Sequence, residues 1–74
     1  MAEQVPMQGI ETDPDVLGGK PTIAGTRIGV DLILEKLGDG ETIDEILQDY
    51  PRITREQVLT AIRFATQLVR GVSA

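Results

Sequence analysis

The side chains of this chain that could carry out acid–base chemistry are carboxylates, two lysines and one tyrosine. The 74 residues include no histidine and no cysteine, which excludes an imidazole base, a thiolate nucleophile and a metal site with nitrogen or sulfur ligands. The twelve acidic residues are of a type that holds Mg²⁺, usually with substrate phosphates completing the coordination. Since Asp and Glu more often form the solvated faces of helices, we expect no enzyme activity, no metal and no other cofactor.

Acidic and basic residues are divided unevenly along the chain. Residues 1–50 contain eleven acidic and three basic residues, a net charge of −8, whereas residues 51–74 contain one acidic and four basic residues, a net charge of +3. This division predicts an acidic body and a basic end. An acidic body repels nucleic acid at long range and attracts a basic protein.

The length is that of one domain, near the lower size limit for a hydrophobic core. Residues 1–9 show no periodicity, so we expect a flexible leader there and a single domain over residues 10–74. The leader lacks the basic and apolar regions of a signal peptide, and no apolar run is long enough to span a membrane. We therefore expect a cytoplasmic protein that does not bind membranes.

The first part of the domain is predicted to be short β structure. Ile10–Thr12 is a candidate strand that ends at a turn over residues 13–15, and Gly18-Gly19 forms a second turn. Between residues 20 and 28, two β-branched segments flank Ala24-Gly25, which predicts a hairpin. An isolated hairpin is only marginally stable, so a third strand is needed, from residues 10–12 or from another chain.

Three amphipathic helices are predicted to follow. The first spans Val30–Leu37 and stops at Gly38. The second and third begin with capping boxes, Thr42-x-x-Glu45 and Thr54-x-x-Gln57, and end at Pro51 and near Arg70. The predicted fold is therefore mostly α: a short N-terminal β-hairpin or strand, then a three-helix bundle like that of a homeodomain or helix-turn-helix domain.

Two leucines depart from the apolar pattern of these helices. Leu34, Leu68 and Val69 belong to the predicted buried faces, whereas Leu32 and Leu59 project into polar sectors. Two exposed leucines on a domain with a small core favour a subunit interface. We therefore expect a homodimer with Leu32 and Leu59 as interface candidates, chance exposure or contact with the N-terminal strand being the alternative.

The second and third helices have helix-turn-helix spacing. If the chain binds DNA, the third helix reads it, and the candidate contacts are Arg52, Arg55, Thr60, Arg63 and Gln67. Two amphipathic helices joined by a short turn also pack in this way in any three-helix domain. Glu56 and the acidic second helix would face phosphates unfavourably, so weak or absent DNA binding is expected.

A more specific signal is the string Gly-Gly-Lys-Pro-Thr-Ile-Ala-Gly-Thr-Arg-Ile over residues 18–28. It is followed by Ile43-x-x-Ile46-Leu47-x-x-Tyr50-Pro51 and Ile53-Thr54-x-x-Gln57-Val58. With these motifs the chain resembles the bacterial domain-of-unknown-function 433 family over about residues 10–66. The resemblance implies a three-helix, homeodomain-like or helix-turn-helix-like fold. Because family members are often inferred to be antitoxins, it also implies neutralisation of a PIN-like nuclease toxin.

The string also has a physical interpretation of its own. Its glycines permit turns, Pro21 fixes the entry to the hairpin, and Arg27 can bind a carboxylate through two nitrogens, within the subunit or across a dimer. We expect a structural role, and no direct ligand contact, for its residues: Gly18, Gly19, Lys20, Pro21, Ile23, Gly25, Thr26, Arg27 and Ile28.

Four functions remain open at this point. The first is an antitoxin-like module whose acidic surface, residues 31–49, binds a basic protein such as a PIN-like toxin. The second is a helix-turn-helix DNA-binding transcriptional regulator, and antitoxins often combine both activities. The third is a structural or adaptor dimer with another partner, and the fourth is a carboxylate-dependent nuclease. None of the first three involves a small-molecule substrate.

Overall fold

The computed structural model describes residues 7–72, which form a two-stranded antiparallel sheet, a short 3-10 turn and three α-helices. The strands are β1, Ile10–Glu11, and β2, Thr22–Ile23, and the 3-10 turn is Leu17–Gly19. The helices are α1, Val30–Gly38, α2, Ile43–Asp49, and α3, Arg55–Val72. The predicted fold, mostly helical with a short β structure ahead of three helices, is confirmed. None of these helices is long and apolar enough to cross a lipid bilayer.

The domain begins earlier than the predicted leader boundary. Met7 is half-buried against the core, and its carbonyl accepts a hydrogen bond from Ile10 N at 3.0 Å. The Gly9 carbonyl accepts one from Ala24 N at 2.9 Å. Residues 7–9 are therefore part of the folded unit. The rest of the expected leader, residues 1–6, lies outside the described residues, as do residues 73–74.

The sheet differs in one respect from the predicted hairpin. β2 pairs with β1 in the register Ile10↔Ile23 and Glu11↔Thr22, so the expected third strand is present. The second arm of the hairpin forms no strand. It is joined to β2 by the hydrogen bond from Ile23 N to the Ile28 carbonyl, at 2.9 Å, and by a single bridge between Thr22 and Gly29. Because Val30 already begins α1, this arm has no residues left with which to extend the pairing.

The loop between the strands reverses direction at two glycines. Gly18 and Gly19 have φ values of 67° and 91°, a region in which residues with a side chain are strained. The predicted tight turn at this pair is confirmed. Lys20 follows in extended conformation and leads the chain into β2.

The helix ends follow local hydrogen-bonding rules. The residue that terminates α1 is Gly40, with a φ of 96°, because Glu41 N donates to the Lys36 carbonyl and Gly40 N to the Leu37 carbonyl, each at 3.0 Å. This Schellman arrangement lies two residues beyond the predicted stop at Gly38, which is still helical. α3 is also longer than predicted, since it continues past Arg70 through Gly71 to Val72.

Both predicted capping boxes are present. Thr42 N donates to Glu45 Oε1 at 2.8 Å, and Glu45 N donates back to Thr42 Oγ1 at 3.1 Å. At the start of α3, Thr54 N donates to Gln57 Oε1 at 2.9 Å and Gln57 N to Thr54 Oγ1 at 3.2 Å. These bonds satisfy amides that have no partner inside the helix and so fix where α2 and α3 begin.

The core draws on both strands and all three helices. Its buried members are aliphatic: Ile10, Ile23, Val30, Ile33, Ile46, Ile53, Val58 and Ala61. The predicted burial of three other residues is wrong, since Leu34, Leu68 and Val69 are 37%, 57% and 66% exposed. α3 has 18 residues and α1 only nine, so α1 does not cover the last turns of α3, and the three side chains lie at open clefts between the two helices.

Candidate functional site

The carboxylates of residues 31–49 form what we call the acidic surface. This segment carries seven acidic residues and one lysine, and six of the seven are exposed. The exposed ones are Asp31, Glu35, Asp39, Asp44, Glu45 and Asp49. They lie on α1, on α2 and in the α1–α2 connection. Because α1 and α2 are joined by a short connection and pack against each other, this run of charge gives the surface they form an excess of negative charge.

Lys36 is the basic residue of this segment, and it is held from two sides. Its ammonium lies 3.4 Å from Glu41 Oε2, 3.5 Å from Asp49 Oδ2 and 5.7 Å from the centroid of the Tyr50 ring. Partial burial on its own would lower the pKa of Lys36, but the hydrogen bonds and charges of Glu41 and Asp49 outweigh it and raise the pKa. Lys36 thus joins α1 to the end of α2 and does not neutralise the rest of the surface.

The other acidic residues differ in how far they are neutralised. Lys20 lies 3.3 Å from Asp31, with both side chains well exposed, and Arg55 at the start of α3 forms an ion pair with Asp44. Glu35 and Asp39 are exposed and have no ion-pair partner among residues 7–72. These two carboxylates, near the C-terminal end of α1, are therefore available to a second molecule.

The residues predicted to contact nucleic acid do not form one basic face. Arg55 is paired with Asp44, and Arg63 Nη1 lies 3.2 Å from Glu56 Oε2. Thr60 is half-buried and lies beneath the N-terminal segment. The two are so close that a methyl group at Gly9 would lie 3.3 Å from the Thr60 Cγ2 methyl. Gln67 is exposed. Arg52 precedes α3 in the connection from α2, where it lines a cleft described below.

The residues of the string at 18–28 build the entry to α1. Ile23 is fully buried, the Pro21 carbonyl accepts a hydrogen bond from Val30 N at 3.0 Å, and Lys20 reaches Asp31. Thr26 Oγ1 donates to the Ile23 carbonyl at 2.7 Å and accepts from Ile28 N at 3.0 Å. These contacts fix the backbone of the turn that follows β2.

Beside that turn is an open cleft of about 800 Å³. We call it the arginine cleft, because Arg27 from the turn and Arg52 from the α2–α3 connection both line it, together with Glu11, Val16, Gln57 and the remaining turn residues. Sequence reasoning missed this site, since the two arginines lie 25 positions apart and no shared motif or helical spacing connects them. Only the packing of the α2–α3 connection near β2 brings them together.

A second surface is apolar. Leu34, Leu68 and Val69 are exposed beside two adjoining clefts of about 210 and 410 Å³ between α1 and the C-terminal half of α3, and Leu34 and Ala65 line both. We call this the apolar surface. The predicted interface residues Leu32 and Leu59 do not belong to this surface, and both are half-buried.

Within residues 7–72, no three carboxylates lie close enough together to hold a metal ion.

Comparisons with known proteins add to this geometry. The model of a family described as proteins of unknown function (DUF433) matches residues 10–65. The crystal structure of a DUF433 member from Anabaena variabilis ATCC 29413, at 2.00 Å resolution, is similar with a TM-score of 0.77 and 32% identity, over 80% of this chain and 58% of that chain. The uncharacterised protein y4eO of Sinorhizobium fredii is 29% identical over 56 residues, which are 76% of this chain and 25% of that protein. Both relatives are thus considerably longer than the segment they share with this chain.

Proposed function

Because the chain belongs to the DUF433 family, whose function is unknown, we propose from its own surfaces that it is an antitoxin-like module that binds and neutralises a PIN-like nuclease in the cytoplasm. The observation that carries the proposal is the acidic surface, with seven carboxylates against one lysine over residues 31–49. Such a surface attracts a basic protein and repels nucleic acid. The module itself is non-catalytic.

The proposed mechanism is competition for a basic surface. A nuclease that holds RNA needs cationic side chains for the phosphates, and the exposed carboxylates of this module present charges of the same sign as those phosphates. Glu35 and Asp39 are the strongest candidates for contact, because no cation among the described residues neutralises them. An acidic surface of this kind acts mainly on the rate of association and on its salt dependence.

The test is co-expression of the chain with the product of the neighbouring gene, if that gene encodes a short PIN-like protein. We expect a stable complex on size-exclusion chromatography and loss of RNA cleavage when the chain is added to the isolated nuclease. In the double variant Glu35→Lys, Asp39→Lys we expect the association rate constant to fall by about tenfold at low salt, with a smaller difference at high salt.

The matched control is Asp15→Lys, which reverses an exposed carboxylate outside the acidic surface. We expect this variant to associate at nearly the rate of the wild type. A nuclease that remains fully active with the chain present, or a double variant that associates no more slowly than the control, would contradict the proposal.

A further inference from the structure

The basic residues of this chain fall into two groups. Five of the seven interact with another group. Four form ion pairs: Lys20 with Asp31, Lys36 with Glu41 and Asp49, Arg55 with Asp44, and Arg63 with Glu56. The fifth, Arg70, is also engaged in an interaction. The other two, Arg27 and Arg52, have no ion pair or hydrogen bond to their side chains within the part of the chain described here. In a protein with twelve acidic residues, both unpaired cations line the same cleft.

The arginine cleft contains one carboxylate, which forms an ion pair with neither of these two cations. Glu11 is the one carboxylate that lines the cleft, and its Oε1 accepts a hydrogen bond from Gly25 N at 3.3 Å. Gly25 has a φ of 77°, so this turn presents its amide in a geometry that favours glycine. The Glu11 carboxylate is thus engaged in holding the turn.

The cleft offers a third group with unused donor capacity. Gln57 lines it, and its Oε1 is engaged by Thr54 N in the α3 capping box. The remaining amide N–H₂ of Gln57 donates no hydrogen bond to the described residues. Two guanidinium groups and one amide therefore line a cleft whose one carboxylate accepts a hydrogen bond from the turn.

We propose that the arginine cleft binds a carboxylate of a protein partner, held by Arg27 and Arg52. Planar guanidinium groups bind carboxylates through paired hydrogen bonds, which makes arginine the suitable residue for this ligand. A nucleic acid is the less suitable ligand, because Glu11 lies in the cleft and the chain carries a net charge of −5. A single carboxylate brings one charge to two cations, whereas a nucleic acid brings a run of phosphates against the same net negative charge.

This inference goes beyond the nuclease-binding proposal and does not depend on it. The acidic surface would attract the cationic side chains of a partner, whereas the arginine cleft would bind an anionic one at a separate place on the fold. The experiment below uses no nuclease, so failure of either proposal leaves the other intact.

The test is an NMR titration of the full chain labelled with ¹⁵N, which follows the Nε–H signals of its arginines. The probe is a short capped peptide with three glutamates, compared with the same peptide carrying glutamines and with a single-stranded oligonucleotide. We expect the glutamate peptide to shift the Arg27 and Arg52 signals with a dissociation constant on the order of 1 mM. We expect no comparable shift with the glutamine peptide.

Variants identify the residues responsible. Arg27→Gln and Arg52→Gln should each weaken binding of the glutamate peptide about tenfold, as expected for loss of one charge-assisted contact. Arg63→Gln is the matched control, an exposed arginine paired with Glu56, and should bind like the wild type. No shift at 10-fold the expected dissociation constant, equal weakening in the control, or tighter binding of the oligonucleotide would each overturn the proposal.

Discussion

Gly9, ahead of β1, faces Thr60 on α3: a β-carbon at position 9 would lie 3.3 Å from Thr60 Cγ2, and the φ of 94° at Gly9 favours glycine there. The middle of α3 is therefore covered by the N-terminal segment. In a helix-turn-helix protein this part of the third helix must be free to enter the major groove. The two arginines that flank Thr60 on α3 are in addition engaged by Asp44 and Glu56.

From this arrangement we predict weak and unspecific DNA binding. The dissociation constant of the isolated chain should be weaker than about 10⁻⁵ M at physiological salt. Arg55→Ala and Arg63→Ala should change it little, because both side chains are already paired. Fluorescence anisotropy against the promoter region of its own gene measures this. Tight, sequence-selective binding that either substitution abolishes would instead support the transcriptional regulator.

The double variant Asp44→Asn, Glu56→Gln provides the matched comparison. It replaces the partner carboxylates on α2 and α3 by amides of similar size and so releases Arg55 and Arg63. We expect this variant to bind DNA more tightly than the wild type and with a steeper dependence on salt.

The capping boxes lead to a prediction on stability. Thr42→Ala and Thr54→Ala should each lower the free energy of unfolding by about 1 kcal/mol, since each leaves a helix amide without its acceptor. Thr54→Ala should cost more, because it begins the 18-residue α3 and adjoins the buried residues Ile53 and Val58. Urea unfolding followed by circular dichroism measures both.

Thr66→Ala is the control for the capping variants. Thr66 is exposed within α3, and its hydroxyl bonds back to the Ile62 carbonyl at 2.9 Å, a contact that does not stabilise a helix. We expect this variant to be as stable as the wild type or slightly more so. If the capping variants have the same free energy of unfolding as the wild type, these threonines do not stabilise the helix starts.

Lys36 leads to a prediction on pH. Its pKa in the folded state is raised above the ordinary value of 10.5, so the charged form is favoured by folding. The stability that Lys36 contributes is therefore fully present below about pH 10.5 and is lost as the pH rises through the folded-state pKa. Lys36→Met should lower the melting temperature at pH 7, and its difference from the wild type should shrink as the pH rises above about 10.5.

Lys20→Met is the matched comparison for Lys36. The ion pair of Lys20 with Asp31 is 63% exposed on both sides, so its loss should change the melting temperature little at pH 7. If the two variants lose equal stability, the contacts of Lys36 with Glu41 and Asp49 are not what stabilises the junction of α1 and α2.

The apolar surface is a second candidate for the expected homodimer interface, besides Leu32 and Leu59. Leu68 and Val69 protrude from α3 directly beside the clefts that Leu34 lines. Because each copy carries both a protruding edge and an adjacent cleft, a two-fold axis can place the edge of each copy in the cleft of the other. We therefore propose that self-association occurs here.

One chain has a mass of 8.0 kDa, and light scattering at micromolar concentration should give about twice that mass. Leu68→Glu should shift the protein to monomer, because a charge desolvated without a partner is strongly unfavourable. Leu17→Glu, at a leucine 45% exposed outside the apolar surface, should remain dimeric. A wild type that is monomeric under these conditions would end the homodimer proposal.

Local rules in the sequence were enough for most of the fold. The capping threonines, the glycine pair before β2 and the aliphatic spacing of α1 to α3 each specify a structure from a few neighbouring residues. What they do not specify is how far one helix covers another, and for this reason the sequence pattern places Leu68 and Val69 in the core although both are exposed. Arg27 and Arg52 were missed as a pair for the same reason, because only tertiary packing brings them to one cleft.

The turn after β2 also determines how readily Arg27 can bind. Ordering the backbone of one residue costs roughly 1–2 kcal/mol of conformational entropy, and binding to a mobile loop would meet that cost at every turn residue. Here Thr26 Oγ1 bonds to both Ile23 and Ile28, and Glu11 holds Gly25, so the backbone of the turn is ordered when the domain folds. On the side of the turn, a ligand of the cleft then has only the side chain of Arg27 to immobilise, because the turn backbone is preorganised for association.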